Sequence, residues 1–122
     1  MTHHLLFPNG IPAFEMEQRF RLIDREPLLF LESETNPGLS FLLLPVALID
    51  PHYRLALSAE DRATIDASAE SHLLCLAVIT AAEDSPPTAN LLAPVVVNTE
   101  NGRAVQAVRS DSVYSHKQAL CS

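Results

Sequence analysis

Hydrophobic residues in this chain come in short bursts, and proline separates them. Phe20 to Ile23, Leu28 to Leu31, Phe41 to Leu44 and Leu73 to Ala81 are apolar or nearly so. Pro8, Pro12, Pro27, Pro37, Pro45, Pro51, Pro86, Pro87 and Pro94 leave segments too brief for most globular helices and about the length of strands. Phe20 to Ile23 alternates only roughly with Arg19, Arg21 and Asp24. Phe41 to Leu44 is unbroken, as in a strand buried on both faces. Leu73 to Ala81 is the strongest strand candidate, and Asn36-Pro37-Gly38 is a turn signal. Val95 to Asn98 runs into Thr99-Glu100-Asn101-Gly102, and Ala104 to Val108 returns. Asn101-Gly102 predicts a tight hairpin turn, because both residue types tolerate positive φ.

One helix is predicted. Ser58 reads as its N-cap, and Glu60 and Asp61 suit the positive end of the helix dipole. Arg62, Ala63 and Ile65 extend it for two or three turns. Only Ala59, Ala63 and Ile65 are apolar there, so the helix should lie on the surface, over one end of a sheet. With about seven short strands, the pattern predicts a mainly β fold, a small antiparallel β-barrel or sandwich with one short helix. Residues 1–122 read as a single domain without repeat or linker.

Composition narrows the function. Apolar residues make up 48% of the 122, which argues against a disordered chain. Eight Lys and Arg face 15 Asp and Glu, for a net charge of −7. That balance disfavours direct nucleic-acid binding, since phosphate contacts need cations, and favours basic partners. Arg19, Arg21 and Arg25 are the only basic cluster, and Asp24 and Glu26 offset them. No segment reaches the roughly 20 apolar residues of a membrane helix, and Met1-Thr2-His3-His4 does not read as a signal peptide. The expected location is cytoplasmic, with no membrane partner.

Catalytic chemistry is hard to find. His3, His4, His52, His72 and His116 are scattered without metal-site spacing. Cys75 sits in an apolar run and reads as a small buried hydrophobe, and Cys121 as a free terminal thiol. Asp111, Ser112 and His116 lack the nucleophile-elbow context of a hydrolase. Glu32/Glu34 and Glu83/Asp84 fall on loops or strand ends, where carboxylates are solvated rather than tuned as an acid–base couple. Three glycines at these spacings build no phosphate-binding loop. The residues alone therefore point to an acidic, all-β interaction domain with no cofactor, and no enzyme is expected. A β-barrel binding a small molecule or another protein partner is the alternative.

Three segments go further. Phe7-Pro8-Asn9-Gly10-Ile11-Pro12-Ala13-Phe14-Glu15 opens the chain. Thr88-Ala89-Asn90-Leu91-Leu92-Ala93-Pro94 reads as a loop entering a buried strand, behind the acidic, proline-bearing Glu83-Asp84-Ser85-Pro86-Pro87. Asp111-Ser112-Val113-Tyr114-Ser115 lies near the end. In this order the three resemble FliW, the family of bacterial flagellar assembly factors, from Phe7 to about Leu120. The family's Phe-Pro-x-Gly-Ile-Pro-Gly-Phe-Glu opening has Ala13 in place of its last glycine.

The resemblance implies a cytoplasmic, non-enzymatic β protein. It would bind the CsrA-type translational regulator, relieve repression of flagellin mRNA, and exchange that partner for flagellin. Candidate partner-binding residues are Glu83, Asp84, Thr88, Asn90, Leu91, Leu92 and Tyr114. The same motifs have structural uses. Gly10 and Pro12 fit a turn, Asn90 can satisfy nearby backbone, and Tyr114 can pack its ring. Three departures stand out. Only six residues precede the opening motif, where the family usually has another strand, which would leave a sheet edge open or covered by a second copy. Pro45-Val46-Ala47-Leu48-Ile49 replaces the family's Asp-Pro or Asn-Pro and aromatics. The ending lacks the family's Arg-His-Pro.

Overall fold

A computed structural model of the chain describes residues 2–111 and 113–120. In order, its elements are β1 (Thr2–Leu6), β2 (Arg19–Arg25), β3 (Leu28–Ser33), β4 (Ser40–Pro45), α1 (Val46–Ile49), α2 (Ala59–Thr64), β5 (Leu73–Ala82), β6 (Ser85–Asn98), β7 (Arg103–Gln106) and β8 (Gln118–Ala119). Strands β1 to β5 form antiparallel neighbours in the order β1-β2-β3-β4-β5. β6 then pairs with β5 and with β7, and β7 meets β1. Seven strands thus close into a barrel, with β8 an addition to β6.

The mainly β expectation holds, and of barrel and sandwich the structure is a barrel. It differs in three details. Closure uses one parallel pairing, Leu6 opposite Arg103. A second helix, α1, follows Pro45 for a single turn. The six residues before the opening motif do not leave an edge open, because Thr2–Leu6 is a strand bonded to β2 on one side and to β7 on the other.

Alternation along the strands explains the core. Leu5, Phe20, Leu22, Leu29, Leu31, Leu43, Leu76, Val95, Val97 and Ala104 point inward and fill the barrel. Phe41 to Leu44 was expected to be buried on both faces. Only Leu43 is fully enclosed; Phe41, Leu42 and Leu44 keep partial exposure. The opening motif plugs one end: Phe7 is fully buried and meets Phe20 edge-on at 5.1 Å. Gly10 has φ +69°, and a Cβ there would lie 2.4 Å from the Glu15 carbonyl oxygen, so only glycine fits.

Outside the barrel, coverage is uneven. Over β5, β6 and β7 lie two further apolar clusters. In one, Val46 and Ile49 of α1 join Tyr53, Tyr114 and Leu120 over Ala77, Ala89 and Leu91. In the other, Leu55, Leu57, Ile65 and Ala67 pack on Val96, Val105 and Ala107. α2 begins as expected, with Ser58 Oγ accepting from the Asp61 amide at 3.0 Å. It buries no residue of its own; Ile65, just past its end, is the anchor. Asn98, 2% exposed, ties this cover down by donating to the Ile65 and Asp66 carbonyls.

The β6–β7 hairpin corrects another expectation. Asn98 pairs with Arg103, so the connection spans four residues, not a two-residue turn at Asn101-Gly102. Within this connection only Gly102 has positive φ, at +74°. The loop is wider because it also serves its neighbours. The Gly102 carbonyl accepts from the Leu6 amide at 2.9 Å, and the Asn101 amide group donates to Ile65.

Candidate interaction surface

The segment Thr88 to Pro94 is not a loop entering a strand; it lies within β6. Likewise, Glu83-Asp84 is the whole two-residue turn between β5 and β6, and Pro86 and Pro87 already belong to the strand. The irregularity comes further along. Leu76 pairs with Val95 and Val78 with Asn90, so two steps on β5 correspond to five on β6. Residues 91–94 therefore bulge out of the ladder.

A bulge leaves backbone groups without ladder partners, and buried ones must find others. Here each is supplied. Asn90 Oδ1 accepts from the Leu92 and Ala93 amides, both at 3.0 Å. The Leu91 amide donates to Ser115 at 3.0 Å, and Pro94 has no amide to satisfy. On the carbonyl side, Leu91 accepts from the Tyr53 hydroxyl at 2.7 Å and Leu92 from the Arg109 amide at 2.9 Å. Ala93 accepts from the Gln106 side chain at 3.0 Å, and Pro94 from the Ala107 amide at 2.8 Å.

The third motif closes over this bulge. The Arg109 side chain is 7% exposed and makes a two-pronged ion pair with Asp111, each N–O distance 2.9 Å. Its guanidinium stands 4.8 Å from the Tyr114 ring centre and 5.6 Å from that of Tyr53. It also donates to the Arg54 carbonyl. The two tyrosine rings are 4.3 Å apart, and the Tyr114 hydroxyl accepts from the Arg54 amide at 3.1 Å. The hydrogen bond from Arg109 holds the Asp111 carboxyl below its ordinary range, and the same bond pushes the guanidinium pKa up. Burial raises the Tyr53 phenol. All these shifts favour a fixed clasp; none prepares a proton transfer near neutral pH. Asp111 is thereby committed to Arg109, and Ser112 lies outside the described residues.

Of the seven candidate contact residues, five sit in or beside this clasp. Leu91 is 1% exposed and belongs to the outer core. Asn90 and Tyr114 hold backbone, Leu92 is part of the bulge, and Thr88 pairs with Thr80 and Ala119. Glu83 and Asp84 stand apart, exposed at the hairpin tip. Glu32 lies 3.7 Å from the Arg21 guanidinium and Glu34 3.5 Å from the His4 ring. Sequence reasoning missed Tyr53 and Arg109, because their roles depend on partners far along the chain.

Two surfaces are poor in such commitments. On the outer face of β2–β5, the register aligns Ile23, Phe30, Leu42 and Ile79 in one row. Phe30 and its neighbour Leu28 are each 37% exposed; at β5 the row runs under the Val46–Tyr53 cover, against which Ile79 packs, so the uncovered part is that on β2–β4. The second surface is a groove beside α1, where Leu48 is 62% exposed. Small-molecule and metal chemistry have less to build on. Under the plug lies a cavity of about 230 Å³, lined by Ile11, Phe41, Val78, Thr88 and Asn90 among others. That is below the about 300 Å³ at which ligand pockets usually start, and the larger recess, beside α1, is an open groove at the surface rather than an enclosed pocket. Among the described residues no group of three His, Cys, Asp or Glu side chains is placed to hold a metal. Burial pushes the Cys75 thiol up to about 12, which disfavours the nucleophilic thiolate; Cys121 lies outside the described residues. No described helix is long and apolar enough to cross a membrane.

The sequence model of the FliW protein family matches residues 2–120. This chain belongs to the FliW family. The Flagellar assembly factor FliW of Syntrophomonas wolfei is 32% identical over 120 residues, covering 95% of this chain and 77% of that protein. FliW of Bacillus subtilis strain 168 is 31% identical, covering 95% and 84%. A crystal structure of the flagellar assembly factor FliW superposes with a TM-score of 0.86 at 28% identity, over 96% of this chain and 84% of the other. FliW proteins are non-enzymatic assembly factors, in keeping with a site made of clasped backbone and stacked rings.

Proposed function

We propose that this FliW protein works in the cytoplasm as a partner switch in flagellum biogenesis. It binds a CsrA-type translational regulator, so that flagellin mRNA is no longer repressed, and it binds flagellin, which displaces the regulator. It makes no direct contact with nucleic acid and needs no cofactor. What supports this reading, beyond family membership, is the uneven coat of the barrel. The outer face of β5–β7 is covered by the chain itself, whereas the Ile23–Phe30–Leu42 row is left half-exposed. Such a strip suits the apolar face of an amphipathic helix, the form in which flagellin would present itself. The net charge of −7 suits a basic, RNA-binding regulator, and Glu83 and Asp84 are free to steer it.

The test is reconstitution from purified components. The protein should bind flagellin and the regulator separately, and added flagellin should release the regulator. Phe30→Glu should weaken flagellin at least tenfold, because it puts a charge in the middle of the apolar strip. Tight RNA binding by this protein alone, or no complex with either partner, would overturn the reading.

A further inference from the structure

Charge on a surface speeds encounter, but residence depends on a few apolar side chains seated in a pocket. The hairpin tip at Glu83-Asp84 has the first property and lacks the second; its flanks are Ala81, Ala82, Ser85 and Pro86. Both occur together at the other end of β5. There the β2–β3 turn, the end of β4 and α1 enclose a groove of about 630 Å³. Leu29, Leu74 and Pro45 wall it, Leu48 stands over it, and Asp24 and Glu26 form an acidic lip. No described cation lines it.

The exposure of Leu48 calls for explanation. α1 is a single turn whose Val46 is 2% exposed and packs, with Ile49, on the outside of β5 and β6. That anchoring turns Leu48 outward at 62% exposure beside apolar walls. A small aliphatic turn leaves the groove open for a side chain from elsewhere.

We infer that this groove is the seat of the basic regulator, which inserts an apolar side chain beside Leu48 while a neighbouring Lys or Arg meets Asp24 and Glu26. The inference rests on the regulator-binding reading above and locates it. Glu83-Asp84 then acts on approach alone.

Surface-binding kinetics with purified regulator test this, with flagellin binding measured in parallel. Leu48→Asp should speed regulator dissociation at least tenfold and leave flagellin affinity within twofold, which also shows that the variant is folded. Leu48→Ala should act in the same direction, more weakly. Asp24→Asn with Glu26→Gln should slow association and flatten its salt dependence; the asparagine keeps the oxygen that accepts from the Glu26 amide. Glu83→Lys with Asp84→Lys should leave dissociation unchanged. If Leu48→Asp binds the regulator as the unaltered protein does, or if Glu83→Lys with Asp84→Lys speeds dissociation, the seat is elsewhere and the inference fails while the partner switch stands. If the unaltered protein does not bind the regulator at all, it is the partner switch that fails.

Discussion

Ala13 offers the sharpest test of the barrel's plug, because it occupies a place built for glycine. Its φ is +76°, and it stands where the FliW opening pattern has its last glycine. A Cβ in the left-handed region costs roughly 1–2 kcal/mol. Replacing Ala13 with glycine removes that strain. It also loosens the unfolded chain, which costs about 0.4–1 kcal/mol. Ala13 is exposed, so no packing is lost, and its amide can still reach Glu15 Oε1 at 3.4 Å. The net for Ala13→Gly is a gain of about 0.5–1 kcal/mol, or roughly 2–5 °C in Tm for a domain of this size.

Gly10 provides the opposite case in the same loop. Its φ is +69°, but a Cβ would meet Glu15 backbone atoms at 2.4 to 2.6 Å. Backbone cannot rotate away as a side chain can. Gly10→Ala must therefore open the loop and break the Ile11–Phe14 bridge, at a cost of about 3 kcal/mol or more. Urea titrations followed by circular dichroism would measure both, with equal m-values as the check that the same transition is observed. Ala13→Asn should fall between alanine and glycine, since asparagine tolerates positive φ better than alanine does. A neutral or destabilising Ala13→Gly, at unchanged m-value, would refute the argument that strain is stored there.

The other expectations are simpler. Gly102→Val should destabilise by about 1 kcal/mol or more, because a β-branched residue is strained at φ +74° and its Cβ would press on the His4 carbonyl at 3.2 Å; unfolding titrations measure it. Asn98→Ala should cost about 1–3 kcal/mol by the same assay, since it leaves the Asp66 carbonyl and the Glu100 amide without this partner and takes one of two donors from the Ile65 carbonyl. Acid should destabilise through Glu17 and Asp111. Hydrogen bonds from Thr35 and from Arg109 hold their carboxyls below the ordinary 4.5 and 3.8, so the stability they add is present above those values and lost as pH falls through the lowered ones. Glu17→Gln with Asp111→Asn should flatten stability against pH in that acid range, measured by thermal melts from pH 6 down to about pH 2.5.

What the sequence made legible was whatever is decided locally. β5 and β3 announced themselves as apolar runs, and α2 by the cap at Ser58, because burial and capping act over a few residues. β1 was invisible. Thr2-His3-His4-Leu5-Leu6 has only Leu5 buried, and its backbone pairing on both sides leaves no mark on composition. α1 was hidden for a similar reason: four aliphatic residues after a proline look like strand, and only the packing of Val46 outside the barrel makes them turn. The Asn101-Gly102 signal did mark a turn, but contacts to β1 and Ile65 widened it. Among site residues, Asn90 was read correctly as a holder of nearby backbone. Tyr53 and Arg109 were not, since each serves a carbonyl or ring that the fold brings in from a distant part of the chain.

The three motifs that revealed the family mark places where the backbone leaves regular geometry. Gly10 permits a close approach, Asn90 and Pro94 settle the amides of a bulge, and Asp111 fixes the arginine under which Tyr114 stacks. Few residue types can do each of these tasks, so they stand out in the sequence. A contact surface faces a different constraint. Many combinations of half-exposed aliphatic and aromatic residues present a similar apolar strip, and Ile23, Phe30, Leu42 and Leu48 form no fixed pattern along the chain. The residues that announce a FliW protein are therefore poor guides to where it touches its partners. On the partner switch proposed above, the better guide is the surface the barrel leaves uncovered: the outer row of β2–β4 and the groove beside α1.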